Sequence, residues 1–277
     1  MTFAGRRLVR CMNAMLSLVA LERRWVASRS PEMRHAPIFI LSPPRSGSTF
    51  LYQLLVHCQH AAYTPRILDF AERAPVLACR LARWILPAYE SDFSSEYGVG
   101  QGLLSPSECN KLWARWFPTF ESHRCHYAPY DYLSASAIHE IQRIVASLEH
   151  IFGAPFISKC INHSVRVGSL SRVFPNAIYI RVIRSFKETS SSLLRARVVK
   201  RGDVSRWWSV IPPGLPIDDN LPVIEQICRQ ILMTHRAITS DLQTFASGRV
   251  VNVHYDNLRR RPEAELTRVV DELLFCL

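Results

Sequence analysis

The chain has 277 residues, 48% hydrophobic and 21% charged, which excludes a disordered polymer and suffices for one large α/β domain with a sizeable core. Its 34 Lys and Arg against 23 Asp and Glu leave a formal charge of +11, a field that concentrates anions without choosing among nucleotides, anionic lipids, acidic glycans and nucleic acid. Neither a homeodomain, a zinc finger nor an RNA-binding signature is present, so no nucleic-acid partner is expected. The eight Cys, at 11, 58, 79, 109, 125, 160, 228 and 276, form no CxxC pair, which points to a reducing, cytoplasmic compartment rather than a disulfide framework. His123, Cys125 and His126 match no usual zinc spacing, and no metal is expected there.

At the N-terminus, Arg6, Arg7 and Arg10 precede an apolar run from Cys11 to Leu21. Asn13 and Ser17 interrupt the run and no small-residue cleavage site follows it, so it does not read as a signal peptide. Leu8, Cys11, Met12, Met15, Leu18 and Val19 share one helical face. They predict an amphipathic helix in an extension over residues 1–36, packed on the domain or lying on a membrane surface as a peripheral contact. The apolar run is well short of the roughly 20 residues of a membrane span.

Residues 37–277 read as a single domain. Ile38 to Leu41 is a short, continuously apolar run, expected as a buried parallel strand. A glycine-containing loop interrupts it, and Phe50, Leu51, Leu54, Leu55 and Cys58 follow at helical spacing. Helical spacing also runs from Ile67 to Leu86 and from Ala135 to Phe152, with an irregular glycine-rich stretch at Ser91 to Pro106 and an aromatic-rich one at Asn110 to Phe120 between them. Residues 67–150 are therefore expected as a helical insertion on the substrate side. Phe156 to Ser158, ending at Lys159, and Ala177 to Ile183, ending at Arg184, are the next strand candidates. Ser185 and Glu188 have the spacing of a capping box, placing Ser190, Ser191 and Ser192 in the early turns of a helix. A long loop rich in Pro and Gly spans Arg201 to Pro222, a long amphipathic helix runs from Ile224 to Phe245, and Val250 to His254 supplies a last strand. Strands alternating with helices predict a P-loop-like, three-layer α/β/α fold around a mostly parallel sheet.

The segment SPPRSGST, Ser42 to Thr49, lies between the first strand and its helix. Backbone amides at a helix start are unpaired and face the positive end of the dipole, so Ser46, Gly47, Ser48 and Thr49 can cradle an anion, with two hydroxyls adding donors. A nucleotide loop of the form GxxxxGK[ST] needs Lys immediately before the Ser or Thr, and Gly47 stands there. The cation sits earlier, at Arg45, whose fork suits a sulfonate or phosphate oxygen. A serine-rich helix cap without a ligand remains the alternative on these residues alone.

SPPRSGSTFLYQLL resembles the 5′-phosphosulfate loop of the sulfotransferase superfamily, and FPNAIYIRVIRSFKETSSSLL, Phe174 to Leu194, resembles its 3′-phosphate segment. In that segment an Arg at a strand end precedes a Ser by eight residues, as Arg184 precedes Ser192. ArgSerPhe replaces the usual Arg-Asp/Asn-Pro run, so Ser190 or Ser191 could take the place of Ser192. VHYDNL, Val253 to Leu258, is similar to a strand-end element of the family, with Tyr255 as adenine neighbour or core aromatic. The resemblance implies sulfuryl transfer from 3′-phosphoadenosine 5′-phosphosulfate (PAPS), with no metal required, to a hydroxyl or amine of a small molecule, glycan or lipid. It also implies Lys159 as a second cation and either His163 or Glu108 as the base. His163 is preferred because an ordinary imidazole titrates close to neutral pH. Arg195, Arg197, Lys200 and Arg201 could meet phosphates or form a solvated basic face, and Trp207 and Trp208 belong either to a lid or to an anchor of their loop. Two rival readings are a phosphate-loop kinase or hydrolase and a non-catalytic module binding nucleotides or anionic glycans. Acceptor identity and oligomeric state are open.

Overall fold

The computed structural model describes residues 19–22, 24, 31–87, 89–91, 93, 100–119, 125–215 and 221–275. Of the expected N-terminal extension, residues 1–18 lie outside them and carry most of the expected helical face, and His123 lies outside them as well. Four strands form one sheet: β1 (Ile38–Leu41), β2 (Ile157–Lys159), β3 (Ile178–Ile183) and β4 (Val250–His254). The order is β2-β1-β3-β4 and every pairing is parallel, with Ile38 opposite Ile157 and Ile178, and Tyr179 opposite Val250.

Alternation along the strands sends side chains to two separate cores. Phe39, Leu41, Phe156 and Tyr179 pack on one face against Ile141, Ile144 and Leu148 of helix α4 (Ala135–Phe152), Leu170 of α5 (Val167–Val173), and Ile238 and Leu242 of α7 (Val223–Phe245). Ile38, Ile40, Ile178, Ile180, Val251 and Val253 pack on the other against Leu51 and Leu55 of α1 (Ser48–Gln59) and Leu266 and Val269 of α9 (Pro262–Phe275). The three-layer α/β/α architecture thus follows from strands that are apolar on both faces.

Residues 67–86 are more broken than their apolar spacing predicts. In place of one helix over Ile67 to Leu86 there is a 3₁₀ turn at Arg66–Asp69 and then α2 (Pro75–Ile85). Pro75 has no N–H and restricts Ala74, so a helix cannot run through it but starts well from it. Glu22 caps this new start from a distance, its carboxylate accepting from the amides of Val76 at 2.9 Å and Leu77 at 2.8 Å. Among the described residues of the aromatic stretch only α3 (Asn110–Trp113) is helical. The helix α6 (Phe186–Arg201) starts where Ser185 predicts, but Ser185 makes no side-chain cap bond. Glu188 pairs instead with Arg184, Nε to Oε2 at 3.0 Å, so the capping box is not formed. No helix of the described residues is long and apolar enough to cross a membrane.

Candidate functional site

In the order β2-β1-β3-β4 the chain leaves β1 toward β2 and returns past it to β3. The connections from β1 and β3 therefore depart to opposite sides, opening a crevice at the carboxyl ends of these strands, where open α/β sheets bind ligands. A cleft of about 890 Å³ lies here, lined from β1's loop by Pro44, Arg45, Gly47, Ser48 and Thr49 and from the end of β3 by Arg184.

The loop is drawn into shape by hydroxyls. The Ser42 amide donates to Ser164 Oγ at 3.0 Å and that hydroxyl returns a bond to the Ser42 carbonyl at 2.8 Å. Ser42 Oγ donates to Ser48 Oγ at 3.0 Å, closing the loop onto the first turn of α1. Two residues then take left-handed backbone: Gly47 at φ 87° and Arg45 at φ 66°, where a side chain is disfavoured. Two bonds fix Arg45 there. Arg184 Nη1 donates to the Arg45 carbonyl at 3.0 Å, and Arg45 Nε donates to Ser192 Oγ at 3.1 Å. Ser190 and Ser191 instead turn back to the carbonyls of Phe186 and Lys187, at 2.7 and 2.9 Å, leaving Ser192 as the serine of this helix that meets the loop.

Tyr255, the first residue of α8 (Tyr255–Arg260), packs between the two blocks. The Arg184 guanidinium carbon lies 4.4 Å from its ring centroid, and a Cβ added to Gly47 would fall 2.1 Å from the ring's Cδ2. Glycine is required at position 47 by both its φ and the ring. Ser46 is buried and does not line the cleft. The amides of Ser48 and Thr49 lie in the first turn of α1, ahead of the helix's own bonding ladder, the position from which helix starts bind anions.

Across the cleft Lys159, at the end of β2, forms an ion pair with Glu108, whose Oε2 also accepts from Asn110 Nδ2 at 3.2 Å. Both Lys159 and Glu108 line the cleft, so the structure brings this cation and this candidate base to the same space as Arg45. His163 is not brought there. Its ring is fully buried, 4.6 Å from the Trp113 ring and 5.6 Å from Phe39 between centroids, with no hydrogen-bond partner on either nitrogen. Burial, followed by the charge of Arg166, holds its pKa well below the ordinary imidazole value. The preference for His163 as base is therefore corrected. In the 3₁₀ turn Ile161–Val165 adjacent residues point about 120° apart, so Asn162 reaches the cleft while its neighbour His163 points into the core.

The basic residues of α6 divide in the same way. Lys200 and Arg201 line the cleft, whereas Arg197 is buried and gives its Nη donors to Gln226, Gln230 and the Val204 carbonyl, leaving Nε without a partner. Trp207 and Trp208 also line the cleft. Sequence reasoning missed Asp69, Ser107, Asn110, Asn162 and His126, all of which face it. They come from four separate stretches of chain, and no short-range spacing connects them. Among the described residues no group of three or more His, Cys, Asp or Glu is placed to hold a metal ion.

A family profile described as Sulfotransferase family matches residues 37–274. Among solved structures, sulfotransferase STF9 from Mycobacterium avium superposes with a TM-score of 0.53 at 18% identity, covering 98% of this chain and 73% of that one. Sulfotransferase STF1 from Mycobacterium tuberculosis H37Rv superposes with a TM-score of 0.58 at 15% identity, covering 92% and 72%. At such identities the likeness is one of fold. No curated protein sequence matches the chain.

Two outcomes follow from the geometry. Gly47→Ala lowers the unfolding free energy by about 2 kcal/mol or more, through ring overlap and a strained φ. In a Tyr255→Ala background only the φ cost remains, so the same substitution is milder. Equal losses in both backgrounds, measured by urea denaturation, would contradict the packing of Tyr255 on Gly47. For His163 the folded pKa is depressed, so the unfolded chain binds the extra proton, and stability present above the unfolded pKa is lost as pH falls. Wild type accordingly loses more stability than His163→Phe between about pH 7 and about pH 5, the range over which a free imidazole titrates; parallel pH profiles would refute the burial.

Proposed function

Because the chain belongs to the sulfotransferase family, we propose that it moves a sulfuryl group from PAPS to a hydroxyl or amine acceptor in the cleft between β1 and β3. The observation that carries this reading is the joining of two anion-directed blocks by Arg45, which accepts from Arg184 through its carbonyl and donates to Ser192 through Nε. A single phosphate needs one such block. Two blocks, with Arg184 and the Ser48 amide at separate points of one cleft, suit a nucleotide carrying phosphates at both ends of its ribose.

The rival phosphate-loop kinase loses support from Gly47. Its lysine would have to stand at that position, and a side chain there would occupy the Tyr255 ring.

The donor, when bound, supplies a sulfuryl group activated by its bond to phosphate. The amides of Ser48 and Thr49 and the Arg45 guanidinium hold the negative charge that grows on the departing phosphate oxygen. Glu108 accepts the proton of the acceptor hydroxyl as its oxygen forms the new bond to sulfur and the sulfur–oxygen bond to phosphate breaks. Lys159, paired with Glu108, orients that carboxylate and adds positive charge beside the transferred oxygens. Lys200 and Arg201 extend the basic lining.

Glu108→Gln should lower kcat about 100-fold or more while leaving the affinity for 3′-phosphoadenosine 5′-phosphate unchanged. A radiolabelled-sulfate transfer assay and isothermal titration check both, and undiminished turnover would exclude Glu108 as the base. Arg184→Ala should cost about tenfold or more of the preference for 3′-phosphoadenosine 5′-phosphate over AMP, the worth of a charge-assisted bond to phosphate. Unchanged selectivity on titration would remove Arg184 from the 3′-phosphate.

A further inference from the structure

Glu108 enters the cleft from a sharply bent stretch of chain. Cys109, the residue after it, is left-handed at φ 46° and ψ 49°, a conformation disfavoured for any residue with a Cβ, and stands immediately ahead of α3. The bend is held from behind. The Cys109 amide donates to Ser107 Oγ at 3.3 Å, Ser107 Oγ donates to Asp69 Oδ2 at 2.7 Å, and Cys109 Sγ donates to the Pro65 carbonyl at 3.4 Å. The side chains on either side of Cys109 then meet, Asn110 Nδ2 donating to Glu108 Oε2 at 3.2 Å.

The other end of the Asn110 amide is occupied as well. Its Oδ1 accepts from Cys160 Sγ at 3.3 Å and from Asn162 Nδ2 at 3.2 Å. Cys160 is fully buried, and burial raises its pKa to about 12, so the thiol keeps the hydrogen that it donates. The Glu108 carboxylate offers only lone pairs and therefore requires the NH2 of Asn110; the thiol and Asn162 complete the oxygen end. Asn110 is exposed toward the cleft, where an amide with no partners would rotate and hydrate, yet this one is bonded at both ends. Lys159 and Cys160 are consecutive where β2 ends. The ammonium takes Glu108 Oε1, and the thiol takes the amide that holds Oε2.

We propose that Asn110 is a positioning residue for proton transfer: together with Lys159 on Oε1 it fixes the Glu108 carboxylate, and it leaves the second lone pair of Oε2 for the acceptor hydroxyl. The inference rests on the sulfotransferase reading above and gives the two carboxylate oxygens separate roles. Oε1 stays with the ammonium. Oε2 has two lone pairs, one for the Asn110 N–H and one for the incoming proton. The acceptor oxygen forms its bond to sulfur, its proton passes to Oε2, and the electron pair of the broken sulfur–oxygen bond leaves with the phosphate. A carboxylate that rotated freely would hold this geometry only part of the time, and a misplaced base costs rate rather than binding.

The test is turnover of radiolabelled PAPS with a panel of phenols, alkanols, amines and saccharides, and with water when no acceptor is added, read on the acceptor that is transferred fastest. Titration of 3′-phosphoadenosine 5′-phosphate runs alongside. Asn110→Ala should lower kcat about tenfold, with the nucleotide Kd and the acceptor KM within about threefold of wild type. Asn110→Asp keeps the shape of the side chain but turns an acceptor toward Glu108, so its kcat should fall at least as far. In a Glu108→Gln background Asn110→Ala should cost less than about twofold more, because the group that it positions is already lost. An undiminished kcat in Asn110→Ala, an Asn110→Asp variant close to wild type, or the same tenfold loss in both backgrounds would overturn the inference. Wild-type turnover in Glu108→Gln would instead strike the base assignment. A wild type that binds the nucleotide but transfers to nothing in the panel would strike the sulfotransferase reading, and either failure takes the role of Asn110 with it.

Discussion

Arg45 is the residue through which the cleft is assembled. Its left-handed backbone costs about 1–2 kcal/mol for a residue with a Cβ, and the strain is offset by two long-range bonds, one received at its carbonyl from Arg184 and one given through Nε to Ser192. The three residues come from the end of β1, the end of β3 and the second turn of α6, so these bonds tie the carboxyl edge of the sheet to the helix that follows it. Gly47 and Tyr255 complete the arrangement, because the ring occupies the space that any side chain at position 47 would need. Tyr255 in turn carries the Arg184 guanidinium.

The sheet order makes such an assembly possible. With β1 and β3 adjacent and their connections leaving in opposite directions, the loop after β1 and the start of α6 face each other across an opening that the backbone does not close. The wall opposite is supplied by the segment before α3 and by β2, which contribute the Glu108–Lys159 pair. A third element, the loop after α6, is held by Gln230 and His126 rather than by apolar contacts alone. Basic side chains therefore dominate the charged lining, Arg45, Arg184, Lys200 and Arg201 among them, with Glu108 held in its ion pair to Lys159.

Much of this was legible in the sequence, for physical reasons. Strands buried on both faces are mostly apolar, which made β1 visible and, despite Arg181 in its middle, β3 as well. A helix of 18 residues with regular spacing and Ser134 at its cap, α4, was found at its observed boundaries. The SPPRSGST loop is local, so its residues carried their meaning together. What was not legible depends on turns smaller than an α-helix and on contacts between distant segments. His163 and Asn162 are neighbours in sequence, yet a 3₁₀ turn sends one to the core and the other to the cleft. Pro75 divides what periodicity alone reads as one helix. Glu188 fits a capping box by spacing, but the nearby Arg184 competes for its carboxylate and wins. The clasp of His126 on Ile211 joins residues 85 positions apart and leaves no short-range pattern.

A double-mutant cycle on nucleotide affinity tests the central role of Arg45 most directly. Isothermal titration of 3′-phosphoadenosine 5′-phosphate into wild type, Arg45→Ala, Ser192→Ala and the double variant reports whether the two blocks act as one site. The account predicts non-additive losses, with the double variant binding about as weakly as Arg45→Ala alone and a coupling energy of about 1 kcal/mol or more. Strictly additive losses would mean that the loop and the serine helix bind independently, and would contradict it.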